Sequence, residues 1–224
     1  MRKEGAMQIV STYFARIEDR QLYRVFSDTA RVYNDAVSYL IGVIDSEWAS
    51  YGALTCATES TNVTEALVHH TENNKTPKYA DFDTRFYKFP CYLRRSAIAE
   101  AYGKVKAYRS LLANWEALPE DERKDGKGKP GFPKAGNDFP ALYKGNMFMR
   151  LDARTVKVKV FIRNTWDWVV LHLRKCDCDY ISHHCTWRKE CNPTMQKRWK
   201  YGRWTSRTRL TASCAKRNSL SGPP

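Results

Sequence analysis

Residues 119–145 constrain this chain most. Pro119, Gly126, Gly128, Pro130, Gly131, Pro133, Gly136 and Pro140 punctuate the stretch, and a segment broken so often cannot hold one regular helix or strand. The hydrophobic period differs on its two sides. Before it, Leu22, Val25, Phe26, Thr29, Tyr33, Ala36, Val37, Leu40 and Ile44 recur at steps of three and four, which predicts a long helix over residues 19–48 with Asp19 as its cap. A second helix is expected over about 92–118, opened by Pro90, with Leu93, Ala97, Ala101, Val105, Tyr108, Leu112 and Trp115 on its apolar face. A shorter helix is expected near Val63–His70, followed by a polar turn, ENNKTPK.

After Gly145 the period falls to two. Val156, Val158 and Val160 alternate with Lys157, Lys159 and Phe161, and Met147–Leu151, Thr155–Ile162 and Trp168–Lys175 read as strands. Asn164–Thr165 is the expected hairpin turn. Residues 7–17, MQIVSTYFARI, read as one further strand at the start. The order is strand, helical block, Pro/Gly segment, strands. A helical block inserted after the first strand of a small β-barrel has that order, so the expected class is α+β. From Thr205 to Pro224 there is no aromatic and no acidic residue, and a disordered tail is expected over 204–224.

Charge narrows the function. The chain has 38 Lys+Arg against 24 Asp+Glu, a formal net charge of +14. Such a field attracts polyanions and displaces the counterions of a phosphate backbone. The basic residues run through three consecutive regions. Between Arg85 and Arg109 there are seven, Arg85, Lys88, Arg94, Arg95, Lys104, Lys106 and Arg109, against one acid, Glu100. Lys127, Lys129 and Lys134 follow in the Pro/Gly segment. Lys144, Arg150, Lys157, Lys159 and Arg163 decorate the strands. Tyr87, Tyr102, Tyr143, Trp166 and Trp168 are interleaved and able to stack on bases. RNA and DNA are therefore the expected partners. The first residues do not form a signal peptide, and no apolar run is long enough to span a membrane. A cytoplasmic protein with reduced thiols fits the seven cysteines.

Two other chemistries have candidate residues. Cys176, Cys178, His183, His184, Cys185 and Cys191 lie within sixteen residues and are all zinc-ligand types. Their spacing does not give two C-x-x-C pairs, and the competing reading is a strand followed by a loop with incidental thiols, without a metal or other cofactor. For catalysis there is no phosphate-binding glycine loop, no G-x-S-x-G and no H-E-x-x-H. Asp81 and Asp83 sit in YADFDTRFYKF, read as a linker with solvated acids.

Four stretches together resemble a known family. They are FYKFPCYLRRSAIAEAYGKVKAY (86–108), GKPGFPKAGNDFPALYKGNMF (128–148), VKVKVFIRNTWDWVVLHL (156–173) and HHCTWRKECNPTMQKR (183–198). In this order they resemble the N-terminal half of TnpB, the OrfB-type RNA-guided nuclease of bacterial insertion sequences. The resemblance implies a wedge-type, OB-like β-barrel: first strand in 1–18, a helical recognition domain in 19–126, the rest of the barrel in 127–203. It implies contacts to guide-type RNA and target DNA through Arg85, Lys88, Arg94, Arg95, Lys104, Lys106, Arg109, Tyr143, Lys144, Lys157, Lys159, Arg163 and Trp166. The family's RuvC-like carboxylates and paired C-x-x-C zinc ribbon have no counterpart in these residues. The expectation is thus a truncated TnpB-like protein that binds nucleic acid without cleaving it, with full-length relatives as further partners. The alternative is a transposase remnant left by a frameshift or premature stop.

Overall fold

In the computed structural model the described residues are 9–52, 54, 57–124, 128–138, 140, 142–143, 145–184 and 198–206. They form a mixed α/β structure. Strand β1 (Ile9–Arg16) leads into helix α1 (Leu22–Ser46), a 3-10 turn (Trp48–Tyr51) and α2 (Ala57–Val68). Then come α3 (Asp81–Arg85), α4 (Cys91–Glu116) and α5 (Glu120–Lys124). Strands β2 (Phe148–Arg150), β3 (Thr155–Ile162) and β4 (Thr165–His172) precede α6 (Lys175–His184) and β5 (Arg198–Ser206).

Helix α1 forms where its periodicity places it. Phe26, Thr29, Tyr33, Ala36, Val37, Leu40, Ile41 and Ile44 are buried along one side. Its start differs from expectation. Gln21 occupies the cap position without a side-chain bond. The Asp19 carboxylate instead accepts the His172 backbone N–H at 2.7 Å, because the end of β4 lies against it. Helix α4 begins after Pro90, whose extended backbone (φ −60°, ψ 134°) starts the first turn. Leu93, Ala97, Ile98, Ala101 and Val105 are buried, but the face emerges after Val105: Tyr108, Leu112 and Trp115 are only half-buried, and Leu111 is exposed.

The segment read as a linker is not one. Asp81–Arg85 is a helical turn, and Phe82, Phe86 and Phe89 are all buried. Their rings lie 4.9–6.1 Å apart, and Phe89 meets Trp166 edge-on at 5.3 Å. Aromatic area outweighs local polarity here: each ring removes 150–250 Å² from water, in broad terms.

Strands β2, β3 and β4 form an antiparallel sheet in that order, and β1 pairs antiparallel with β5. One stitch joins the two. Ile17 bridges to Leu173, Glu18 N–H donates to the His172 carbonyl at 2.9 Å, and Arg174 N–H donates to the Arg16 carbonyl at 2.8 Å. Val156, Val158 and Val160 bury one face of β3, against α1, as their alternation predicts. Among the described residues the sheets do not close, so a complete OB-like barrel is not what they form. The hairpin turn falls one residue earlier than expected. Ile162 pairs with Thr165, and Arg163 (φ 52°) and Asn164 (φ 59°) make the two-residue loop. A two-residue hairpin of this kind needs positive φ at both positions, so the turn takes Asn164 as its second residue and forces Arg163 to be the first.

Residues 176–184 also differ from expectation. They are helix α6, not a strand and loop. Of the expected tail, 204–206 belong to β5 and 207–224 lie outside the described residues. No helix among the described residues is long and apolar enough to cross a membrane.

Helix α6 is tied to β1 by one ion pair. Arg16 Nη2 and Nε donate to Asp177 at 2.7 and 2.9 Å, and the Arg16 backbone N–H donates to the same carboxylate at 2.9 Å. These bonds hold the Asp177 carboxyl down to about 2. A depressed acid stabilises the fold fully above its ordinary value, about 3.9. That contribution is lost as pH falls through the shifted value. Asp177→Asn is expected to lower the melting temperature at neutral pH by about 3 °C, and the gap to the parent should narrow on acidification. Equal melting temperatures at neutral pH would show that the pair contributes nothing.

Candidate nucleic-acid interface

The basic residues do not form one stripe. Along α4, neighbouring elements supply acids that the local sequence does not show. Arg94 is buried, and its Nε lies 3.3 Å from Glu65 Oε1 of α2. Arg95 reaches the same oxygen at 3.4 Å. Arg109 Nε donates to Asp45 of α1 at 2.7 Å, and its Nη2 donates to the Asp45 carbonyl at 3.0 Å. Lys104 lies 3.5 Å from Glu100 and 3.8 Å from Asp138. These four cations hold helices and the 128–138 segment together. Lys106 stands apart, its Nζ 5.8 Å from the centre of the Tyr102 ring.

Asp138 belongs to a polar joint that fastens the Pro/Gly segment to α1. Asn34 Nδ2 donates to the Asp138 carbonyl at 2.9 Å. Tyr33 donates to Glu100 Oε2 at 2.9 Å. Burial, and then the charge of Asp138, push the Glu100 carboxyl up. A Cβ at Gly136 would sit 2.6 Å from Asp138 Oδ2, so a side chain there would turn the exposed Asp138 carboxylate aside.

A second group is arranged differently. Lys157 and Lys159 point away from the core on β3, and neither has a carboxylate partner among the described residues. Lys159 pairs across the sheet with Trp168, and Lys157 with Val170 and Met149. Their ammonium groups lie 5.6 and 6.0 Å from the centre of the Trp168 ring. Met149 and Val170 are exposed beside them. The result is an open sheet face with one indole, two cations and an apolar border.

A third group meets at the hairpin tip. A cavity of ≈ 290 Å³ lies between α1, α3 and the β3–β4 turn, and its lining includes Arg31, Asp35, Arg85, Tyr87, Phe161, Asn164 and Trp166. A groove of ≈ 550 Å³ adjoins it along α1, sharing Arg31 and Asp35. Arg85 lies over the rings of Tyr39 and Phe86 at 5.8 and 5.5 Å. Lys88 reaches back over exposed Tyr87 at 5.1 Å. Trp166, expected to stack on bases, is mostly packed in the core against Phe89 and Phe161, with only an edge toward the cavity.

The remaining expected residues fall elsewhere. Tyr143 packs on Tyr92 at 5.2 Å. Lys144, Cys185 and Cys191 lie outside the described residues. Arg150 Nε and Nη2 donate to the carbonyls of Asp152 and Ala153. Cys176 is exposed on α6 while Cys178 is buried. Two residues apart on a helix, they face different directions and cannot share one ion. Among the described residues no three His, Cys, Asp or Glu side chains are placed to hold a metal. Asp81 accepts from the Tyr39 hydroxyl at 2.6 Å, and Asp83 takes His69 Nδ1 and the His70 N–H, each at 2.9 Å. Neither is a simply solvated acid. Sequence reasoning missed Arg31, which lies on α1 outside the three basic runs and within 3.7 Å of Asp28 and Asp35.

The Aq_aa04 family model matches residues 11–162. The matched region runs from β1 to the end of β3, so it contains Arg85, Lys157 and Lys159 but not Arg163, Trp166 or Trp168. No curated protein and no solved structure matches the chain significantly.

The division between structural and available cations can be measured. Arg94→Met is expected to destabilise the fold by about 2 kcal/mol, because it strips a charge-assisted bond from half-buried Glu65. Lys157→Ala and Lys159→Ala should each stay within about 0.5 kcal/mol of the parent. Denaturant titration of the three variants checks this. The reverse order would overturn the assignment.

Proposed function

The chain belongs to the Aq_aa04 family; on its sequence motifs and its sheet face, and not on that membership, we propose that it is a TnpB-like nucleic-acid-binding protein that holds a single strand on the outer face of the β2–β3–β4 sheet and does not cleave it. The observation that carries this reading is the placement of Lys157 and Lys159 around Trp168 on an exposed sheet face. Residues two apart on a strand are separated by about 6.8 Å, a spacing suited to successive phosphates of an extended strand. The half-buried Trp168 indole offers a base a stacking surface, whatever the sequence. The net charge of +14 adds a long-range pull toward polyanions.

The TnpB-like motifs support the same reading, since that family holds guide RNA with its recognition and wedge parts. The stitch between Ile17 and Leu173 is what favours a barrel-like organisation, because it links the end of β1 to the end of β4 across two separate sheets. No nuclease step is assigned. The acids nearest the aromatic column, Asp81 and Asp83, are engaged by Tyr39, His69 and His70. RNA and single-stranded DNA are both within the reading.

Fluorescence anisotropy with a short labelled oligouridylate or oligothymidylate tests it. Binding should weaken steeply with salt. Lys157→Ala and Lys159→Ala should each lower the slope of log K against log salt by about 0.7. Trp168→Ala should cost about 1–3 kcal/mol. Salt-independent binding, or affinity indifferent to all three changes, would sink the proposal.

A further inference from the structure

We propose that the cavity at the hairpin tip takes one unstacked nucleotide, its base against Tyr87, Phe161 and the Trp166 edge, and its phosphate on Arg85. The inference rests on the nucleic-acid reading and deepens it by naming a second place where a strand is held. Three observations carry it. The cavity, ≈ 290 Å³, sits at the small end of ligand pockets, roughly 300–1,000 Å³. That admits a mononucleotide unit and excludes a duplex. Its lining combines the rings of Tyr87, Phe161 and Trp166 with the guanidinium groups of Arg31 and Arg85 and one acid, Asp35. Arg31 is shared with Asp28 and Asp35, each at 3.7 Å, whereas Arg85 has no carboxylate at ion-pair distance among the described residues. Arg85 is therefore the guanidinium available to a phosphate, already oriented by the Tyr39 and Phe86 rings.

The third observation is backbone strain. Among the described residues only Lys88, Arg163 and Asn164 have positive φ without being glycine. Asn164 lines this cavity, and Lys88 and Arg163 directly follow or precede a lining residue, Tyr87 and Asn164. Asparagine adopts the left-handed region readily, while lysine and arginine do so at a cost. Glycine would relieve that cost at either position. Lys88 holds its ammonium over the Tyr87 ring beside the cavity, Arg163 directly precedes Asn164 in the turn, and strain kept at a site points toward a role for the side chain. Tyr87 fits the same pattern, a large ring left 61% exposed beside the cavity mouth.

Calorimetry on the full chain with the adenosine, guanosine, cytidine and uridine 5′-monophosphates, and with inorganic phosphate, tests the inference. At least one nucleotide should bind saturably and more tightly than phosphate. Tyr87→Ala and Arg85→Ala should each weaken it by about tenfold. Lys157→Ala with Lys159→Ala should leave it unchanged. Arg163→Gly separates binding from folding: it should raise the melting temperature and weaken the nucleotide. Four results would overturn the inference: no saturable nucleotide while oligonucleotides still bind, phosphate binding as tightly as nucleotide, indifference to both Tyr87→Ala and Arg85→Ala, or Arg163→Gly leaving affinity intact. Nucleotide binding that persists when oligonucleotides fail to bind the sheet would support the cavity and reject the sheet reading.

Discussion

The arrangement of the molecule depends on how α1 is seated between α4 and the β3 strand. Tyr33, Val37, Leu40 and Ile44 bury one side of α1 completely or nearly so, and Val156, Val158 and Val160 supply the facing sheet surface. Hydrophobic contact alone tolerates sliding. A directional bond fixes the position: the Phe161 N–H donates to Thr29 Oγ1 at 2.9 Å, and Thr29 is fully buried. Thr29 in turn donates to the Val25 carbonyl at 2.8 Å. This relay pins the hairpin tip to one turn of α1. It thereby sets Asn164 and Trp166 opposite Arg31 and Asp35, and the cavity between them exists only at that register.

Charge follows a different logic. Four cations of the α4 region are consumed by Glu65, Asp45, Glu100 and Asp138, which come from α2, α1, α4 itself and the Pro/Gly segment. Burying Arg94 without Glu65 would leave an uncompensated charge in a low-dielectric place. The excess positive charge is thus displaced outward, to the sheet face and the hairpin tip. Among the described residues, Lys157, Lys159 and Arg85 are cations left without a carboxylate, and they lie on the sheet face and at the hairpin tip.

This explains what was legible in the sequence. Elements whose own sequence carries a regular apolar period were readable: β1, α1, α4 and the alternation of β3. So was the order of strand, helices and strands. Elements fixed by distant partners were not. Asp81–Arg85 looks polar until Phe82 is seen to join Phe86, Phe89 and Trp166, which are separated from it by as many as 84 residues of chain. Asp19 has the chemistry of a helix cap, yet β4 claims its carboxylate. The 176–184 segment has the composition of a metal loop, yet Asp177 anchors a helix on Arg16. Of the site, residue types were legible but their grouping was not, because acids on other elements decide which cations remain open.

The two open surfaces differ in how they are built, and this bears on what each can recognise. On the sheet face, cations and ring are spaced by the regular pleat, with no unusual backbone, and the contact they offer is repetitive and tolerant of sequence. At the hairpin tip the geometry is singular. A cavity is bounded by three elements, and a lysine and an arginine are held in a backbone region that neither prefers. Regular surfaces bind extended chains; singular cavities bind single units. If both are used at once, the strand would pass along the sheet and surrender one nucleotide at its end. Orientation on the protein would then be set by the cavity, and most of the affinity by the sheet.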